Sequence, residues 1–169
     1  MNRNKIKRIF LLGGLVCVVP ILILGVSMSV ELYRYFNPYL DQDITGPVTI
    51  PDEWLELVPN KPLRVERQIQ KIVLDLDKSV KLERDGWGLV LPDGSIVQPA
   101  VQLIDENGQV YNLDVASSWS NPSTGVTYRE FSMADLPKDK SYRMVRLRSA
   151  KPVPCRRVFW RSYNQWDVS

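Results

Sequence analysis

Seven basic residues (Arg143, Arg146, Arg148, Lys151, Arg156, Arg157 and Arg161) fall within residues 142–169, where Asp167 is the only acidic side chain. Arg146 and Arg148 are two apart, as are successive members of the set Arg157, Phe159, Arg161 and Tyr163. An extended chain puts alternate side chains on one face, so each set shares a side if these runs are strands. Guanidinium forks interleaved with rings can hold phosphate, carboxylate or sulfate groups through paired N–H donors. The pattern predicts an anion-binding surface of Arg146, Arg148, Arg157, Phe159, Arg161 and Tyr163 on a basic C-terminal hairpin. A competing expectation is that these arginines pair across the sheet with Glu66, Asp75, Asp77 or Glu83. Such surface pairs add only about 0–1 kcal/mol each and would serve register and solubility.

Tryptophan offers a second chemistry, because its flat apolar face can stack on a sugar ring. Trp119, in the Ser/Asn-rich stretch Ala116 to Gly125, is the candidate for an exposed binding ring. Trp87 and Trp160 lie in apolar runs and are expected in the core, whereas Trp166 stands near the C-terminus. Asp75 and Asp77, with Asp93 or Asp105, could supply oxygens to calcium, although a Leu-Asp-Leu-Asp run is the ordinary pattern of a half-solvated strand. No spacing positions two carboxylates as a glycosidase pair.

Histidine is absent from the chain. This removes the usual neutral-pH base, the commonest zinc ligand and the Ser/His and Cys/His nucleophilic pairs. Together with the lack of a cofactor motif, it points away from an enzyme, with no cofactor expected.

The elements that position these residues begin with a membrane segment. Arg3, Lys5, Lys7 and Arg8 precede a run of 22 residues, Ile9 to Val30, without a charge. As a helix this run rises about 33 Å, enough to cross a hydrocarbon core of about 30 Å. Fourteen of its residues are Leu, Ile, Val or Phe, each contributing about −0.3 to −0.6 kcal/mol to insertion, which outweighs the costs of Gly13, Gly14, Pro20, Ser27 and Ser29.

Residues 1–8 are then a basic cytoplasmic tail, 9–30 a transmembrane signal anchor, 31–47 a juxtamembrane linker and 48–169 an exported domain in the inner or plasma membrane. Tyr33, Tyr35, Phe36 and Tyr39 suit the headgroup layer. The alternatives are a cleaved signal peptide, through the small pair Ser27 and Ser29, and a lipoprotein, through Cys17. Cys17 and Cys155 fall on opposite sides of the membrane and cannot pair, so Cys155 is expected as a buried, apolar thiol.

In the exported part, Pro51 to Val58 has a proline and acids in its first turn and Pro59 at its end, which predicts a short helix. Ile72, Leu74 and Leu76 alternate with Val73, Asp75 and Asp77 as in a strand. Asp85-Gly86, Pro92-Asp93-Gly94 and Asp105-Glu106-Asn107-Gly108 mark turns of a meander. Ala116 to Gly125 is expected as a loop and Val126 to Ser132 as a strand. Two closing strands, Tyr142 to Ser149 and Cys155 to Tyr163, flank a proline-containing connection.

The expected fold is an all-β antiparallel sandwich, jelly-roll or immunoglobulin-like, after a single transmembrane helix. The closing strands with Val158-Phe159-Trp160 resemble galactose-binding-like jelly rolls in architecture, a resemblance that implies the sandwich and no functional residue. Function is expected to be that of a non-catalytic, membrane-tethered interaction or accessory module. Its partners are the lipid bilayer through residues 9–30 and a membrane-proximal protein or anionic glycan, and its compartment argues against nucleic acid. The alternatives are a carbohydrate-binding module using Trp119 and a hydrolase.

Overall fold

In the computed structural model, residues 39–164 are described, apart from Gly86 and Pro122. The expected membrane span, its basic tail, Cys17 and Trp166 lie outside the described residues. Among the described residues no helix is long and apolar enough to cross a membrane.

Thirteen strands make up the described chain. The first five are β1 (Tyr39–Thr45), β2 (Val48–Ile50), β3 (Leu55–Leu57), β4 (Leu63–Arg64) and β5 (Ile69–Leu76). A short meander follows as β6 (Lys81–Leu82), β7 (Leu89–Val90) and β8 (Ile96–Val97). The last five are β9 (Ala100–Asp105), β10 (Val110–Asn121), β11 (Val126–Ser132), β12 (Ser141–Arg148) and β13 (Val153–Tyr163).

Ten of these strands join in one antiparallel sheet of order β1-β13-β5-β11-β10-β9-β12-β3, with β2 also on β13 and β4 also on β12. The sheet curls into a barrel-like form because β10 serves both halves. Its residues 110–113 pair with β9 and its residues 114–121 pair with β11, with a bulge between Val115 and Ser117. A bulge bends and twists a strand locally, which turns this corner. Ile72, Leu74, Leu76, Phe131, Leu103, Val145, Leu147, Val158 and Trp160 fill the interior. Val80, Leu89, Leu91 and Val97 of the meander join the same core.

The turns are built by one device. Asp77, Asp85, Asp93, Asp105 and Asn121 each accept, through a side-chain oxygen, the backbone N–H two residues on, at 2.9–3.2 Å. A short polar side chain thus mimics a backbone turn at each corner. Gly94 and Gly108 take positive φ, 79° and 83°, as their turn positions suggest.

Several expectations are corrected. Residues 39–45 are strand and not linker, because β1 lies beside β13 from Tyr39↔Tyr163 to Thr45↔Val158. Pro51 to Val58 holds no helix: Leu55–Leu57 extends along the edge of β12, where ladder bonds outweigh the weak preference of one helical turn. Ala116 to Asn121 continues β10, since pairing with β11 overrides its loop-like composition.

The Asp85 corner is a longer loop than a two-residue turn, closed by Glu83 N–H donating to the Gly88 carbonyl at 2.9 Å. Pro154 stands inside β13, opposite Thr49, and its carbonyl accepts from Asp77 N–H at 3.0 Å. Most consequentially, β12 and β13 do not form a hairpin. The chain crosses between them from one half of the bent sheet to the other.

Cys155 is buried, and burial pushes its thiol up to about 12. Iodoacetamide is expected to leave Cys155 unmodified in the folded protein at pH 8 and to modify it only in denaturant. Mass spectrometry of the tryptic peptide measures this, and modification in the folded state would place the thiol at the surface.

Asp105 closes the β9–β10 turn, accepting from the backbone N–H of Asn107 and Gln109 and from Lys140 Nζ at 2.8 Å. Lys140 also donates to the Tyr111 hydroxyl at 2.8 Å. The hydrogen bond from Lys140, followed by those from the backbone, holds the Asp105 carboxyl below its usual range. A depressed carboxylate stabilises the fold above its unfolded pKa of about 3.9, and that contribution is lost as pH falls through the folded value. Asp105→Asn should therefore lower the urea midpoint at pH 7, with the gap to the wild type narrowing toward pH 2. An equal gap at both pH values would count against this pair.

Candidate functional site

The outward face of the half-sheet β1-β13-β5-β11-β10 gathers rings and charges. Strand alternation sends Trp160 and Ser162 of β13 inward, and Arg157, Phe159, Arg161 and Tyr163 outward. The ladder then sets their neighbours. Asp41, Arg161 and Lys71 stand side by side, as do Asp43, Phe159, Val73, Glu130 and Ser117 one row along. The next row is Arg157, Asp75, Tyr128 and Trp119.

Rings and guanidinium planes interlock across these rows. The Arg157 guanidinium lies 4.1 Å from the Phe159 ring centroid, and that of Arg161 lies 4.9 Å from Phe159 and 4.7 Å from Tyr39. Tyr128 meets Phe159 edge-on at 6.1 Å, and Trp119 stacks on Tyr128 at 5.7 Å. Phe159 is 0% exposed although it points away from the core, because the arginines and Tyr128 roof it over. Trp119 is 51% exposed.

Most of the charge is internally balanced. Arg161 grips Asp41 as a fork, with Nε and Nη2 donating to the two carboxylate oxygens at 2.9 and 2.8 Å. Lys71 Nζ donates to Glu130 at 2.6 Å, and Arg156 donates to Asp75. Four cations on this face, Lys71, Arg156, Arg157 and Arg161, thus meet four carboxylates, Asp41, Asp43, Asp75 and Glu130. Arg157 differs from the others. Its ion pairs are long, 3.4 Å to Asp43 and 3.9 Å to Asp41, and its donors make no hydrogen bond among the described residues. Its side chain remains 37% exposed.

The predicted residues therefore divide into two groups. Arg157, Phe159, Arg161, Tyr163 and Trp119 share one face. Arg146 and Arg148 lie on the other half of the bent sheet, where Arg146 donates to Glu56 of β3 and Arg148 covers Trp54 at 4.8 Å. A single basic ribbon is absent because β12 and β13 are separated in the sheet. Of the carboxylates expected to pair with the arginines, Asp75 does so, with Arg156; Asp41, Asp43, Glu56 and Glu130 are the other partners.

Trp119 stands on a strand and not in a loop. Trp87, expected in the core, is 63% exposed before β7, while its carbonyl accepts from buried Arg129. Tyr128 and Lys71 escape a sequence reading, and Tyr39, expected at the headgroup layer, packs against Arg161 on this face. The signal for Tyr128 is its outward parity with Glu130 in the run Val126 to Ser132.

Ser117, Lys71 and Glu130 approach one another, with Lys71 Nζ 3.4 Å from Ser117 Oγ. Nucleophilic use of the serine would need a neutral lysine as base. Burial pulls the Lys71 ammonium down, but the hydrogen bonds and charges of Glu130 and Tyr163 together outweigh it and hold the group above its usual value. The cluster is suited to an ion pair and not to acyl transfer. Asp77, Asp93 and Asp105 are each engaged at their own turns, and among the described residues no group of three or more His, Cys, Asp or Glu could hold a metal ion.

These features define an aromatic, charge-balanced outer face on a barrel-like all-β domain. No protein family matches the sequence, and no curated protein is similar to it.

Proposed function

We propose that the chain is a non-catalytic binding module of a cell envelope, tethered to the membrane through residues 9–30, whose outer face takes an acidic saccharide. One observation carries this reading: a half-exposed tryptophan stacked on Tyr128 shares a face with an arginine that makes no hydrogen bond among the described residues. Trp119 and Arg157 stand three strands apart, about 14 Å at the usual interstrand spacing. A short run of sugar rings spans that gap, with one ring on the indole and a carboxylate on the guanidinium.

The core-facing packing of the two halves of the bent sheet supports describing the domain as a flattened barrel or sandwich of the jelly-roll or immunoglobulin-like kind. Residues 31–38 lie between the described strand β1 and the expected membrane span.

The test is retention of the full chain, in detergent micelles, by immobilised polygalacturonate against dextran. Retention by the acidic polymer alone, weakening with salt, is the expected result. Equal behaviour on both supports would remove the saccharide reading.

A further inference from the structure

We propose that the recess between β1, β13 and the Arg64–Glu66 segment binds a small zwitterion, namely an α-amino acid with an apolar side chain. This site is separate from the outer face, because it uses the inward side chains of β13. Its volume is 210 Å³, and it is lined by Leu40, Gln42, Arg64, Glu66, Trp160 and Ser162, with Asp41 at its margin. At ~30 Å³ per water molecule this is the space of about seven waters, too small for a folded peptide or a sugar chain.

Three features point to an occupant. The first is Ser162, which is 2% exposed and whose Oγ has no hydrogen-bond partner among the described residues. A buried hydroxyl is normally satisfied by protein, water or ligand. Gln70, opposite Ser162 in the ladder, does not serve it with its amide nitrogen, which donates to the Arg67 carbonyl.

The second is the pair Arg64 and Glu66. Pairing of Arg64 with Ser141 holds β4 against β12 at this point. Both Arg64 and Glu66 are exposed at the rim of the recess. The side chains of Arg64 and Glu66 make neither ion pair nor hydrogen bond among the described residues, with each other or with a third group. They line the recess from positions two apart, as alternation in an extended segment allows. They also line a neighbouring groove of 440 Å³ bounded by Lys138, Asp139 and Lys140.

The third is the apolar wall. Trp160 is almost fully buried, and Leu40 is half-buried beside it. Gln42 is anchored by its amide donating to the Lys61 carbonyl at 2.8 Å, which steadies the same wall.

One cation, one anion, one unserved hydroxyl and an indole are the complement of a compact amino acid. Its carboxylate meets the Arg64 fork and its ammonium meets Glu66. Its aliphatic side chain lies against Trp160 and Leu40, and Ser162 Oγ supplies a hydrogen bond to either charged group.

The experiment is calorimetric titration of the full-length chain in detergent micelles with L-leucine, isopentylamine and 4-methylpentanoate. The last two are leucine without its carboxylate and without its ammonium. Leucine is expected to bind at millimolar concentration or tighter, and each single-charge analogue to bind at least about tenfold more weakly. Arg64→Gln and Glu66→Gln should each cost a similar factor while melting like the wild type. Ser162→Ala should weaken binding severalfold, and Arg143→Gln, on exposed β12 surface, should leave it unchanged. Saturating polygalacturonate should not displace leucine, which separates failure here from failure of the outer-face reading. Absence of heat with leucine, equal binding of either analogue, or full binding in the Arg64→Gln, Glu66→Gln double variant would overturn the proposal.

Discussion

Phe159→Ala lowers the free energy of unfolding by about 3–5 kcal/mol, the cost of a core aromatic, although residue 159 points away from the core. The ring is wholly covered by Arg157, Arg161 and Tyr128, and Arg161 cannot move into the gap without breaking its fork to Asp41. The loss combines apolar area returned to water, an edge-to-face contact and two cation–π contacts in a partly desolvated setting. Native stability of a domain this size is only about 5–15 kcal/mol, so the variant is expected to populate unfolded chain at modest denaturant. Phe159→Leu, which keeps most of the volume, should cost under about 1.5 kcal/mol. Urea unfolding followed by near-ultraviolet circular dichroism measures both. A change below about 1 kcal/mol for the alanine variant would mean that the roof does not exist in solution.

Arg157→Gln and Trp119→Ala each reduce polygalacturonate retention about tenfold or more, at a stability cost of about 0.5–1.5 kcal/mol for the one cation–π or ring-stacking contact each removes. Truncating one partner of a charge-assisted hydrogen bond typically removes about 1.5–3 kcal/mol, which corresponds to that factor. The two sites are about 14 Å apart and share no described contact, so their effects should add in the double variant. Arg161→Gln provides the contrast. Its guanidinium is already committed to Asp41, so the variant should lose stability more than retention. If Arg157→Gln and Trp119→Ala retain wild-type affinity, the outer face is a structural lattice and the module's ligand lies elsewhere.

The strands of highest apolar alternation are legible in the sequence. The run from Ile72 to Leu76 lies within β5, Val126 to Ser132 is β11 without a residue's difference, and the closing runs correspond to β12 and β13. Turns carrying Asp with Gly were legible too, because Asp93 and Asp105 each bind the N–H two residues on and Gly94 and Gly108 supply positive φ. Both signals are local, coming from side-chain parity and from a hydrogen bond reaching two residues along the chain.

Strand runs lacking a local signal are not legible in the sequence. Tyr39–Thr45 has a linker's composition, and it becomes a strand because β13 offers an unpaired edge more than a hundred residues away. Ser117 to Asn121 likewise looks like a loop until β11 lies beside it. Leu55–Leu57 follows the edge of β12 against its helical pattern. In each case long-range ladder bonds settle a segment whose own preference is worth a fraction of a kcal/mol.

By itself the sequence determined an all-β antiparallel domain, the parity that puts Arg157, Phe159, Arg161 and Tyr163 on one side, and the absence of histidine chemistry. Only the tertiary structure decided which residues meet across strands. It split Arg146 and Arg148 from the other arginines, brought Trp119 and Tyr128 beside Arg157, and supplied Asp41 and Asp43 as counter-ions. Parity is a property of one strand and can be counted along the chain. Neighbourhood depends on strand order, which is set by how the whole set of apolar faces closes around a common core.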